Sequence, residues 1–139
     1  MDVNIYLTFD GRCAEAFAEY ARILGGEVAF QQTYGETPMA EHTPAEQHGR
    51  VMHSELKLGD RVIMGSDAPP EWYTTPGGFS VSLHFDDLDA GRRAFDALAE
   101  GGTVKMPLQA TFWAKGFGML IDRFGTPWIV NCGHADAPA

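Results

Sequence analysis

Residues 7–28, LTFDGRCAEAFAEYARILGGEV, decide the fold, because residues 83–104, LHFDDLDAGRRAFDALAEGGTV, repeat their pattern. Slid forward by 76 positions without a gap, the two stretches share nine of 22 residues. Leu7, Phe9 and Asp10 meet Leu83, Phe85 and Asp86. Ala14, Ala18 and Ala21 meet Ala90, Ala94 and Ala97. Gly25-Gly26 and Val28 meet Gly101-Gly102 and Val104. The matches fall on apolar strand positions, a small-residue helix face and a helix-ending glycine pair. A period of half the chain marks a duplicated module and not a solenoid.

Each copy reads as strand, helix and three strands. Val3, Ile5, Leu7 and Phe9 alternate with Asn4, Tyr6 and Thr8, the period of a half-buried strand. Ala14, Phe17, Ala18, Ala21 and Leu24 then recur at helical spacing, and Gly25 suits the left-handed position past the helix end. Val28–Tyr34 is a second strand. Residues 35–49 are rich in Pro and Thr and predict a loop of about 15 residues, a length at which loops tend to be lids or disordered. Val51–Leu58 and Arg61–Gly65 form a hairpin about Gly59-Asp60. Residues 67–78, with Pro69-Pro70 and Gly77-Gly78, join modules spanning approximately 1–66 and 79–132.

In the second copy, Phe79, Val81, Leu83 and Phe85 alternate with Ser80, Ser82 and His84. Asp86 or Asp87 can cap a helix whose apolar face is Gly91, Ala94, Phe95 and Leu98. Thr103–Met106, Phe117–Ile121 and Trp128–Asn131 are strands, with a turn at Pro107–Thr111. Residues 134–139 form a small, polar tail expected to fray. The resulting class is α+β: two tandem βαβββ modules in one domain. Their helices cover one sheet face. The other face mixes aromatics with polar groups, as a cavity inside a curled mixed sheet would require.

Composition bounds the partners. The 139-residue chain carries a net charge of −9, which opposes nucleic-acid binding and is compatible with a cationic ligand. No apolar run approaches the roughly 18 residues of a membrane span, and no basic-then-apolar segment opens the chain. Two cysteines, Cys13 and Cys132, are expected as reduced thiols in a cytoplasmic protein. No P-loop, Gly-x-Ser-x-Gly, His-Glu-x-x-His or dinucleotide fingerprint is present.

At the level of motifs the chain resembles the vicinal oxygen chelate superfamily of glyoxalase I, extradiol dioxygenases, and fosfomycin- and bleomycin-resistance proteins. Within it, the resemblance is to the PhnB-like (YjdN-like) branch. The stretches that carry it are YLTFDGRCAEAFAEYARILGGE from Tyr6, MHSELKLGDRVIMGSD from Met52, SVSLHFDDLDAGRRAFDALAEGG from Ser80 and MPLQATFWAKGFGMLIDRFGTPW from Met106. Ala114 and Arg123 depart from the branch, which usually has Gly and Pro there. The resemblance implies a homodimer and, in the catalytic members, a divalent metal. The metal slots carried over fall on Asn4, Glu55, Ser80 and Ile129, of which only Glu55 is a good ligand. A tight site takes three or four strong donors, so the expectation is a protein without that metal. The branch also carries a ubiquinone-pathway methyltransferase label, which no nucleotide-site motif here backs.

The candidate site follows. Glu55 and His53, two apart on one strand, share a face. They are a candidate acid–base pair, a remnant metal set with His84, or a polar pair at a dimer seam. Tyr6, Ser80, His84, Trp113 and Phe117 are candidate ligand-binding residues, and Phe112 adjoins them. His42, His48 and His134 are expected in solvent, and Trp128 in a core or interface. The leading expectation is metal-independent small-molecule binding, with a cationic or aromatic ligand. The alternative is a lyase, isomerase or dioxygenase using Glu55 with His53 or His84.

Overall fold

The computed structural model describes residues 1–135 and divides into two compact units, Met1–Thr74 and a second from Thr75. The remainder of the expected fraying tail, 136–139, lies outside the described residues.

The first unit contains strands β1 (Ile5–Phe9), β2 (Glu27–Thr33), β3 (Val51–Leu58) and β4 (Arg61–Asp67), with helix α1 (Cys13–Leu24). The sheet order is β1-β4-β3-β2. β1 and β4 run parallel; the other neighbours are antiparallel. Leu7, Phe9, Leu56 and Ile63 are buried with Cys13, Ala16, Phe17 and Tyr20 of α1. Val3 and Ile5 do not join that layer: Val3 precedes β1 and is 87% exposed, and Ile5 is 42% exposed.

The second unit has β5 (Val81–Phe85), α2 (Leu88–Ala99), β6 (Thr103–Gln109), β7 (Gly116–Ile121) and β8 (Pro127–Cys132), in sheet order β5-β8-β7-β6. Val81, Leu120, Trp128 and Val130 are buried with Ala94, Phe95 and Leu98 of α2. Phe79, like Val3, precedes its strand and is exposed. β6 runs on to Gln109 where a turn was expected. Pro107 sits within a register shift of the β6–β7 pairing, where a residue without an N–H is tolerated.

The shift of 76 holds for the first two strands of each module, with β1 and β2 matching β5 and β6 residue for residue, whereas β3 matches β7 at an offset of 64. It does not hold for the buried helix faces. Cys13, Ala16, Phe17 and Tyr20 match Gly91, Ala94, Phe95 and Leu98 at an offset of 78. Ala14 and Ala18, expected on the apolar face, are exposed. The larger apolar groups at i, i+4 and i+7 set the rotation of α1, and alanine is small enough to sit on either side.

Two buried carboxylates organise the connections. Asp67, 1% exposed, accepts N–H bonds from Gly11 (2.8 Å) and Cys13 (3.0 Å) on Oδ1 and from Val51 (2.8 Å) on Oδ2. It thereby ties the start of α1 to the start of β3. Asp122 accepts from Phe124 and Thr126 N–H on Oδ1 and from Trp128 Nε1–H on Oδ2, closing the β7–β8 turn over a fully buried indole. Asp87 caps α2 by accepting from Ala90 N–H.

The segment expected as a loop at 35–49 is built from short 3-10 turns at Tyr34–Glu36, Pro38–His42 and Ala45–Gln47. Thr33 and Glu36 close the first reciprocally. His48 is not solvated as expected: its Nε2 lies 3.2 Å from Ala40 O and 2.9 Å from Thr43 O. Both partners are carbonyls, so Nε2 carries the proton and donates.

Candidate functional site

The polar-aromatic face of the first sheet forms where β1, β3 and β2 bring their outward residues together. Tyr6 pairs with Met64, Met64 with Glu55, and Glu55 with Phe30, so one row crosses all four strands. His53 stands one pleat along, opposite Gln32. Phe30 reaches this face because Ala29 is an extra residue in β2; pairing shifts there between Val28 and Phe30. Such a bulge re-aims the side chains that follow it.

His53 is the hub. Tyr6 Oη lies 3.2 Å from its Nδ1, and the rings stack with centroids 5.8 Å apart at 25°. The Phe30 ring is tilted against it at 6.0 Å and 46°. His53 Nε2 is 3.7 Å from Glu55 Oε1, beyond hydrogen-bond range but within reach of charge. The carboxylate favours a proton on Nε2, which leaves Nδ1 to accept from the Tyr6 hydroxyl. Tyr6 is 48% and Phe30 44% exposed, so this face is open in the chain described.

The corresponding face of the second sheet differs in kind. Its rows are His84, Asn131, Phe117 and Gln109, then Ser82, Ile129, Met119 and Met106. Pairing aligns His53 with Phe117 and Glu55 with Met119, since Ser54 lies opposite Gly65 as Gly118 lies opposite Val130. The counterpart of Glu55 is therefore Met119, one strand away from the Ile129 carried over by counting. His84 Nδ1 is 3.2 Å from Asn131 Nδ2, and its Nε2 is 3.5 Å from Asp86 Oδ1. The Trp113 ring meets Phe117 edge-on at 5.1 Å and Phe112 at 4.7 Å. His134 is exposed, as expected, with its ring 6.0 Å from that of His84, and Ala135 N–H donates to Trp113 O.

The sequence-derived residues thus divide. Tyr6, His53 and Glu55 come together; His84, Trp113 and Phe117 belong to the second unit; Ser80, half-buried, precedes β5. Phe30, Met64 and Asn131 were missed. The Ala29 bulge inverts the parity of β2, so periodicity alone could not have placed Phe30.

The metal that the superfamily uses can be tested against these donors. Among the described residues, no group of three or more His, Cys, Asp or Glu side chains is placed to hold an ion. His53 and Glu55 offer two donors where three or four are needed, and the second face offers Met119 and Ile129 at the aligned positions. Among the described residues these donors do not by themselves complete a tight site.

Neither thiol suits nucleophilic work. Burial, and then the charge of Asp67, push Cys13 far above an ordinary thiol. Burial likewise raises Cys132. A recess of about 340 Å³ lined by Gly25, Gly26, Glu27, Lys57 and Gly59 lies at the far end of the β2–β3 pair and holds none of the site candidates.

Comparison with known proteins agrees with this architecture. The family described as 3-demethylubiquinone-9 3-methyltransferase matches residues 1–131. Protein YjdN of Escherichia coli (strain K12) is 36% identical, over 94% of this chain and 95% of its own. Protein PA1353 from Pseudomonas aeruginosa, solved by crystallography, is 42% identical with a TM-score of 0.88, over 97% of this chain and 99% of that one. A Bacillus cereus PhnB protein, described as a putative 3-demethylubiquinone-9 3-methyltransferase, shares the fold at 24% identity and a TM-score of 0.82, over 96% of this chain and all of the other. With its paired βαβββ modules, each carrying one helix on a four-stranded mixed sheet, the chain belongs to this PhnB/YjdN-like family of the glyoxalase/bleomycin-resistance/dioxygenase fold.

Proposed function

We propose that the protein binds a small organic molecule on the open face of its first sheet, without a metal. The observation that carries this reading is the cluster of Tyr6, His53 and Phe30 rings beside the Glu55 carboxylate. Flat rings supply contact area at low entropic cost, and a few polar groups fix orientation. The donor set supports metal independence, because two ligands do not make a tight site. The family's methyltransferase description finds no support in a nucleotide-binding motif. Homodimer formation is part of the proposal: β1 and β2 are edge strands of their sheet, and open edges favour a symmetric partner.

A second reading has its own observation, the His53–Glu55 approach at 3.7 Å, which would suit proton transfer to and from a bound substrate. A ligand screen followed by amide chemical shifts tests the first. Binding should move resonances of Tyr6, Phe30, His53 and Glu55 together; a screen whose hits all map elsewhere refutes it. Glu55→Gln should leave a neutral ligand's affinity within about twofold, whereas the acid–base reading requires turnover to disappear. Elemental analysis of protein purified without chelator should find less than about one-tenth of an equivalent of metal.

A further inference from the structure

We infer that this face selects an organic cation carried on a flat ring, with Glu55 as its counter-ion and Tyr6, His53 and Phe30 as its walls. The inference rests on the binding proposed above and names the class of ligand. Three observations lead to it. The rings of Tyr6 and Phe30 approach His53 to 5.8 and 6.0 Å, so an aromatic body has a wall on which to stack. Aromatic faces carry negative potential and attract cations within about 6 Å. The carboxylate of Glu55 lies in the row between Met64 and Phe30. Among the described residues the basic group within 4 Å of it is His53, at 3.7 Å, which is beyond hydrogen-bond range. A partly exposed carboxylate in the row that carries Tyr6 and Phe30 can serve as the counter-ion of a cation resting on those rings. The second sheet gives the internal comparison: with Met119 aligned to Glu55, the row Ser82, Ile129, Met119 and Met106 has no carboxylate. Selection by charge is thus a property of the first module's sequence and not of the fold.

An ammonium or amidinium nitrogen bearing N–H groups meets both features. It can donate to Glu55 while its ring packs on Tyr6 and Phe30. An anion would face the carboxylate at short range in a chain of net charge −9. A neutral amide isostere would keep the stacking and an N–H bond to the carboxylate but lose the attraction of opposite charges.

The test uses benzamidinium, benzamide and benzoate, three near-isosteres that differ in charge. Affinities come from amide chemical-shift titrations of the full chain and of Glu55→Gln, with the spectrum of the variant confirming its fold. Benzamidinium should bind at the Tyr6–Phe30 face at least about tenfold more tightly than benzamide, as expected for a charge-assisted bond. Glu55→Gln should remove most of that preference, weaken benzamide by no more than about twofold and flatten the salt dependence of benzamidinium binding. Benzoate should not shift these residues. Equal binding of benzamidinium and benzamide at this face would overturn the cation inference and leave the binding reading standing. Benzamidinium binding that survives Glu55→Gln would also overturn it. If none of the three probes shifts the face, the charge selectivity is refuted, and the ligand screen decides separately whether the face binds anything.

Discussion

Replacing Asp67 by Asn should cost more stability than a change of one atom suggests. The carboxylate is 1% exposed and accepts three backbone N–H bonds, two on Oδ1 and one on Oδ2. An amide can keep Gly11 and Cys13 on its oxygen. Its NH₂ then points at the Val51 N–H, donor against donor. A buried donor left unpaired costs about 1–3 kcal/mol, and bonds to a charged acceptor are worth about 1.5–3 kcal/mol. The variant should therefore lose about 2–4 kcal/mol, a large share of the roughly 5–15 kcal/mol typical of a domain. Asp67→Ala strands all three donors and should lose more. Urea unfolding followed by tryptophan fluorescence gives the difference, provided the m-value is unchanged. A loss below about 0.5 kcal/mol for Asn would refute the reasoning, because it would mean the Val51 N–H finds another partner at no cost.

Other outcomes follow from the same reading. A Cβ on Gly91 would run into Cys132 Sγ, so Gly91→Ala should destabilise by about 1–3 kcal/mol; adding Cys132→Ala should recover most of it, and additive losses in a double-mutant cycle would contradict the contact. His48 ties Ala40 and Thr43, so His48→Ala should speed limited proteolysis within 38–47 several-fold, and an unchanged cleavage rate would show that the 3-10 turns hold themselves. Cys13, raised first by burial and then by Asp67, should resist a disulfide reagent at pH 8 until the chain unfolds. Because its folded pKa lies above its unfolded value, its share of stability is complete below about pH 8.5. That share falls as pH rises further, since the unfolded state then binds fewer protons. Stability that increases from pH 8.5 to 10 would reverse the sign of this argument.

The strand plan was legible because strand burial has a period of two, and Leu7, Phe9, Val81 and Leu83 follow it without interruption. The helix faces were legible only in part. Ala14 and Ala18 fit an apolar stripe as well as Ala16 does, and the bulk of Phe17 and Tyr20 settles which side is buried. Asp67 was opaque: a carboxylate at a strand end looks like solvent-facing turn chemistry until its three N–H partners converge from residues 16 to 56 positions away.

The sequence by itself determined that the chain is a duplicated βαβββ module and that Glu55 and His53 share a face. These are matters of local period and residue chemistry. Only the tertiary structure decided that Tyr6 closes on His53 from two strands away, that a bulge at Ala29 brings Phe30 to the same face, and that Met119 stands where the second copy of Glu55 would be. Each of those depends on cross-strand register. Hydrogen bonds between residues far apart in the chain set that register, and no single strand encodes it.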